Sequence, residues 1–115
     1  MITKFAEREL STKEHMFGGE GKFTSRVIAT EATLYGKNRV FNHGYLQKGD
    51  EIGWHVHHGD GEVYYILSGE GEFNDNGTLV TVSAGDVCWT ADGEGHSLKA
   101  LSDELEMIAL VAYNK

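Results

Sequence analysis

The sequence predicts an all-β protein, a closed antiparallel barrel or jelly roll, on three observations. Short apolar runs alternate with turn residues from Lys22 onward, glycine occurs 15 times and proline never, and Asp75-Asn76-Gly77 separates two β-prone runs. Asn-Gly is the strongest short-range hairpin signal, because a type I′ turn needs positive φ at both central positions. Glycine, asparagine and aspartate must make all the reversals here, and many tight reversals are what an antiparallel fold requires. Closure into a barrel covers the edges that so many short strands would otherwise expose.

Taken in order, residues 1–21 read as an irregular N-terminal arm and residues 22–115 as the barrel domain. Ser11-Thr12-Lys13-Glu14 fits the capping-box pattern of a helix start, so one helical turn is expected there before Gly18 and Gly19 stop it. Residues 23–30 and 39–47 are the first strand candidates, the second rich in alternating aromatic and aliphatic side chains. Lys48-Gly49-Asp50 turns the chain into residues 52–57, and Ser68-Gly69 closes the strongly β-prone run 62–67. Residues 71–74 and 79–82 flank the Asn-Gly turn. Ala84-Gly85-Asp86 leads into 87–90, Asp92-Gly93-Glu94-Gly95 into 96–101, and residues 104–113 form a last long apolar strand. Turns at this spacing suit a sandwich or barrel.

Bulk properties bound the function. With 115 residues, 40% hydrophobic and 24% charged, the chain suits one core and is not composed like a disordered protein. Acidic residues outnumber basic ones 18 to 10, for a net charge of -8. No Lys/Arg cluster offsets that field, which disfavours nucleic acid and anionic membranes as partners. The single cysteine, Cys88, rules out an intramolecular disulfide. No apolar run approaches the length of a membrane span and no secretory h-region precedes the barrel, so the expected location is cytoplasmic.

The chemistry-bearing residues cluster. Of six histidines, His55, His57 and His58 fall within four residues, and Glu62 follows. Residues two apart on a strand share a face, so His55 and His57 project inward together while His58 points away. If the next strand pairs antiparallel with this one, Glu62 near its start reaches the same face, with Tyr64 and Ile66 behind it. A buried carboxylate beside two imidazoles is expensive to desolvate, and a divalent cation compensates directly. Imidazole and carboxylate suit first-row transition metals. A fourth ligand must come from a neighbouring strand, and His96, just after a glycine-rich turn, is the candidate.

These residues resemble the two conserved motifs of the cupin superfamily. The first is Gly49-Asp-Glu-Ile-Gly-Trp-His55-Val-His57-His-Gly-Asp-Gly-Glu62, then six residues to Gly69. The second is Gly85, five residues, Ala91-Asp92-Gly93, two residues, then His96. The resemblance spans Gly49 to Ala100 and implies a double-stranded β-helix, the cupin-type jelly roll. It implies His55, His57, Glu62 and His96 as ligands of one divalent metal, manganese, iron, nickel or zinc, with open positions for water or substrate. Ala91 stands where the family usually has proline, and Ala100 where asparagine is common. The turn before His96 is therefore expected to be less rigid.

Around this centre, His43 and Tyr45 share a strand face with Phe41 and are candidates to line the cavity and bind substrate. For His43 a half-buried histidine bonded to backbone is an equal reading. Tyr64 faces inward, as core filling or as a hydroxyl offered to a ligand. Glu94 is either an acid or base at the cavity mouth or a solvated loop carboxylate. Glu94, His43 and Tyr64 are thus the candidate catalytic groups. Cys88 reads as a core or cavity-wall residue, Trp54 as packed outside, and His15 as exposed.

A site of +2 from metal and -1 from Glu62 favours a small anionic or chelating ligand. Two functions follow. One is an enzyme in which the metal acts as Lewis acid or oxygen activator, and resemblance to small cupins admits oxygenase, decarboxylase, isomerase and lyase chemistry. The other is a non-catalytic barrel that captures a small sugar or acid, or the metal itself. A homodimer is expected as well, since small cupins often pair and Trp54, Tyr65 and Leu67 would face outward.

Overall fold

The computed structural model describes Met1–Lys115, and ten strands carry almost all of its regular structure. They are β1 (Leu10–Glu14), β2 (Lys22–Val27), β3 (Asn38–Gln47), β4 (Glu51–Val56), β5 (Asp60–Ser68), β6 (Glu70–Asp75), β7 (Thr78–Ser83), β8 (Val87–Thr90), β9 (Gly95–Ala100) and β10 (Glu104–Tyr113). All pair antiparallel, in a six-stranded sheet of order β1-β2-β3-β10-β5-β8 and a four-stranded sheet of order β4-β9-β6-β7. The fold is the jelly roll that the sequence predicts.

Alternation places the core between the sheets. Glu62, Tyr64 and Ile66 of β5 are buried, while Tyr65 and Leu67 are exposed. Leu105, Met107 and Ala109 of β10 point inward in the same way and share one core with Leu46, Ile52 and Leu98, and Val111 is buried on the same face. Trp54, Tyr65 and Leu67 lie outward as expected. The Asn-Gly reversal joins β6 to β7, with Asn76 at φ 48° and Gly77 at φ 109°.

Ser11-Thr12-Lys13-Glu14 is not a helical turn. It belongs to β1, paired with β2 from Leu10↔Arg26 to Glu14↔Lys22. The segment has no apolar stripe at helical spacing, and its alternating polar residues suit a short edge strand. Short 3₁₀ turns flank it instead, at Phe5–Glu7 and Met16–Gly18. The reversal after β1 lies tight against β4: a Cβ on Gly53 would meet the Phe17 carbonyl, and one on Gly19 the Glu51 carbonyl.

Two irregularities of register fall beside the site. Between Ile52↔Leu98 and His55↔His96, β4 advances three residues while β9 advances two. Between Val111↔Val40 and Ala112↔Asn38, β3 carries Arg39 as an extra residue. Such bulges bend a strand and re-aim its side chains. In β4 the bulge lets Ile52 and His55, three apart, both face the interior.

Candidate metal centre

His55 and His96 are cross-strand partners on β4 and β9, His57 follows β4 directly, and Glu62 comes from β5 in the opposite sheet. From the sequence, Glu62 reaches the face of the histidines if its strand pairs antiparallel with theirs. In the structure β5 pairs with β10 and β8, and Glu62 crosses the interior to meet the rings. His96 Nε2 lies 3.0 Å from His55 Nε2 and 3.2 Å from His57 Nε2. Glu62 Oε1 lies 3.2 Å from His57 Nε2 and 3.1 Å from His96 Nε2. One ligand atom from each residue falls within 4.8 Å of all the others.

The outer nitrogens explain why the inner ones converge. His55 Nδ1–H donates to the Gly53 carbonyl at 2.8 Å, and His57 Nδ1–H to Asp60 Oδ1 at 2.6 Å. His96 Nδ1 bonds the Thr90 hydroxyl at 2.8 Å. Carbonyl and carboxylate only accept, so His55 and His57 carry a proton on Nδ1 and, when neutral, aim an Nε2 lone pair inward. Several lone pairs and a carboxylate oxygen at such spacing repel one another unless a proton or cation lies among them. Ligand bonds of ~2.0–2.2 Å are usual for imidazole and carboxylate on a divalent metal. Right-angled pairs at that radius stand roughly 3 Å apart, so the donor set fits such an ion.

The same contacts set the protonation of the ion-free site. Burial would raise the Glu62 carboxyl, but hydrogen bonds from His57 and His96 overcome it and hold the group down at about 2. The same bond to Glu62, helped by Asp60, pushes His57 up from the ordinary imidazole range, whereas burial pulls His55 down. Burial beside Glu62 keeps the Tyr64 hydroxyl protonated well above the usual tyrosine range. Its ring stacks on His96 with centroids 5.0 Å apart. Phe17 stacks on His55 at 3.8 Å, from the tight reversal after β1.

A cavity of about 200 Å³ opens from His55, His57, Glu62 and Tyr64, with Lys13 of β1 and Arg39 of β3 among its lining residues. Two other candidates fall outside it. On β3, Val40 and Asn42 line the cavity, so His43 and Tyr45 take the opposite face. There His43 Nε2 meets Glu106 at 3.3 Å and its Nδ1 meets the Tyr45 hydroxyl at 3.3 Å. Period-two alternation decides this, and a choice of the aromatic face over the aliphatic one is what misplaced them. Glu94 also lies off the cavity, its carboxylate accepting from the Ala91 N–H at 3.0 Å. With Glu94 N–H donating to the Ala91 carbonyl, also at 3.0 Å, the turn lacking proline is closed from both ends. His58 is exposed, and Cys88 is buried with its thiol pushed up to about 11 by burial.

Sequence reasoning missed Asp60, Thr90, Lys13 and Arg39. Asp60, three residues past His57 and inside the first motif, was the findable one. Arg39 depends on a bulge, and Lys13 on a strand assigned to an arm.

Residues 42–113 match the family model described as Cupin domain. An oxalate-binding protein of Thermotoga maritima is 37% identical over 112 residues, 96% of this chain and 93% of the relative. A crystal structure of a predicted oxalate decarboxylase, also from Thermotoga maritima, superposes with a TM-score of 0.94 at 36% identity. That match covers 99% of this chain and 100% of the other. KdgF from Halomonas shares the fold at TM-score 0.71 and 17% identity, over 91% of this chain and 87% of its own.

Proposed function

Since the chain belongs to the cupin family, we propose that it holds one divalent transition metal through His55, His57, Glu62 and His96 and uses that centre to bind a small chelating acid such as oxalate. The observation that carries this is the convergence of four ligand atoms, with the histidine Nδ1 atoms tied outward, at the inner end of a cavity lined by two cations. A bound divalent ion supplies a Lewis-acidic, net positive centre for carboxylate oxygens. Lys13 and Arg39 add positive charge along the cavity, and the Tyr64 hydroxyl, protonated at neutral pH, offers a donor beside the rings.

Binding is favoured over turnover by the lining. Beyond the centre, the titratable side chains on the cavity wall are Lys13, Arg39 and Tyr64, and Glu94, the candidate acid or base, is held in its turn. Proton-transfer catalysis calls for a group with a pKa near the working pH within reach of the bound acid.

The test begins with elemental analysis of untagged protein beside a His57→Ala/Glu62→Ala variant. About one equivalent of transition metal, lost in the variant, is expected. Calorimetry should then show oxalate binding only to the metal-loaded protein, with oxalate recovered unchanged after incubation. Neither native metal nor uptake of manganese, iron, nickel or zinc would reject the centre. Release of carbon dioxide or formate would replace capture with catalysis.

A further inference from the structure

Oxalate fills only part of this cavity. Its volume of about 200 Å³ is room for roughly seven waters at ~30 Å³ each, whereas oxalate displaces roughly three. The wall is mostly apolar, with Met16, Phe23, Val40, Ile52 and Met107 contributing. Oxalate has no carbon outside its two carboxylates, so it leaves that wall facing water. Each methylene laid against it favours binding about fourfold.

At the mouth stands Arg39. It is the extra residue of the β3 bulge, and bulges at barrel rims re-aim side chains. Its side chain is half exposed, and its one hydrogen bond runs from Nε to Asp60 Oδ2 at 3.2 Å. Both Nη groups therefore remain free for an anion, in the planar fork that suits a carboxylate. Lys13 faces the same cavity from β1, on the side of its cross-strand partner Phe23. In a chain of net charge -8, the cavity wall presents two cations, Arg39, paired through Nε with Asp60, and Lys13, which makes no ion pair, beside the carboxylate of Glu62.

Building on the metal-dependent binding proposed above, we infer that this cavity selects a chelating diacid longer than oxalate, a 2-oxo dicarboxylate of four or five carbons. The adjacent oxo and carboxylate oxygens reproduce the chelating edge of oxalate at the centre. The methylenes lie on the apolar wall, and the far carboxylate is held by Arg39 with Lys13 beside it.

Calorimetric titration of zinc-loaded protein with oxalate, 2-oxoglutarate and 2-oxopentanoate tests this. The last two have the same chelating head and length and differ only in ending in a carboxylate or a methyl group. 2-Oxoglutarate should bind at least about tenfold tighter than 2-oxopentanoate, as a charged hydrogen-bonded pair provides, and tighter than oxalate. Arg39→Gln should bring the diacid-to-monoacid ratio toward one, Arg39→Lys should restore part of it, and Lys13→Met should lower it. Zinc content is measured on every variant, and because the ratio compares two ligands with one head, a shared effect on the centre cancels. Oxalate binding more tightly than 2-oxoglutarate, or a ratio unmoved by both Arg39→Gln and Lys13→Met, overturns the inference while leaving metal-dependent oxalate binding intact. If loaded protein binds none of the three acids, the proposed function falls and this inference with it.

Discussion

Asp60→Asn should weaken metal binding about tenfold at neutral to mildly alkaline pH. Asp60 is 6% exposed, and its Oδ1 accepts the His57 Nδ1–H at 2.6 Å while Oδ2 accepts Arg39 Nε–H at 3.2 Å. The amide keeps the shape, removes the charge and, with its oxygen kept on His57 Nδ1–H, turns an NH2 donor toward Arg39 Nε–H. Hydrogen bonds to charged groups contribute about 1.5–3 kcal/mol and neutral ones about 0.5–1.5, so roughly 1–1.5 kcal/mol of His57 orientation and basicity is lost. That is about tenfold in affinity, at the lower end of what partners of metal-bound histidines contribute. The pH dependence adds a signed check. Asp60 helps push His57 up in the metal-free protein, and a proton on that ring competes with metal. Loss of the Asp60 charge lowers the His57 pKa, so the proton competes less in the variant. The deficit should therefore be widest near pH 8 and narrow as pH falls through the raised His57 pKa, which lies above the ordinary 6.5. Competition against a chromogenic chelator measures both. Asp92→Asn is the control: its exposed carboxylate accepts from Gly59 N and Asn114 Nδ2 without touching the rings, and it should stay within about twofold. Equal affinities for Asp60→Asn and wild type near pH 8, or a deficit that grows as pH falls, would refute the reasoning.

Stability of the chelator-stripped protein should fall in acid through Glu62. Its folded pKa of about 2 lies below the ordinary 4.5, so its contribution is complete above about pH 4.5 and is lost as pH drops toward 2. The amount is about 3 kcal/mol, and urea denaturation between pH 5 and pH 3 should show a shallower slope in Glu62→Gln than in wild type. Gly53→Ala should cost about 1–3 kcal/mol, since its Cβ drives into the Phe17 carbonyl, and urea midpoints within error of wild type would contradict the close approach drawn there. A homodimer remains our proposal for the exposed Trp54, Tyr65 and Leu67, and a monomer in sedimentation at micromolar concentration rejects it.

From β2 onward, strand order along the chain and the inward ligand faces were legible because both rest on local rules. Period-two alternation put His55 with His57 and Glu62 with Tyr64, and the Asn76-Gly77 reversal needed only its own φ angles. The jelly-roll architecture was legible through two motifs whose spacing survives the loss of proline at Ala91. His43 and Tyr45 show where the same rule stops: alternation says that two faces exist, and only packing says which one turns inward.

What the sequence by itself determined is therefore the nine strands from β2 to β10, the jelly-roll class and the cluster of His55, His57, Glu62 and His96. What the tertiary structure decided is how they meet. Glu62 reaches the histidines from the opposite sheet, a bulge at Gly53 and Trp54 turns His55 inward, and Asp60, Thr90 and the Gly53 carbonyl fix the rings. Lys13 and Arg39 join the cavity only because β1 pairs with β2 and β3 carries an extra residue. Periodicity is a property of neighbours along the chain, whereas sheet partnership, bulges and ring orientation follow from contacts between residues far apart in sequence. A one-residue change of register reverses every face.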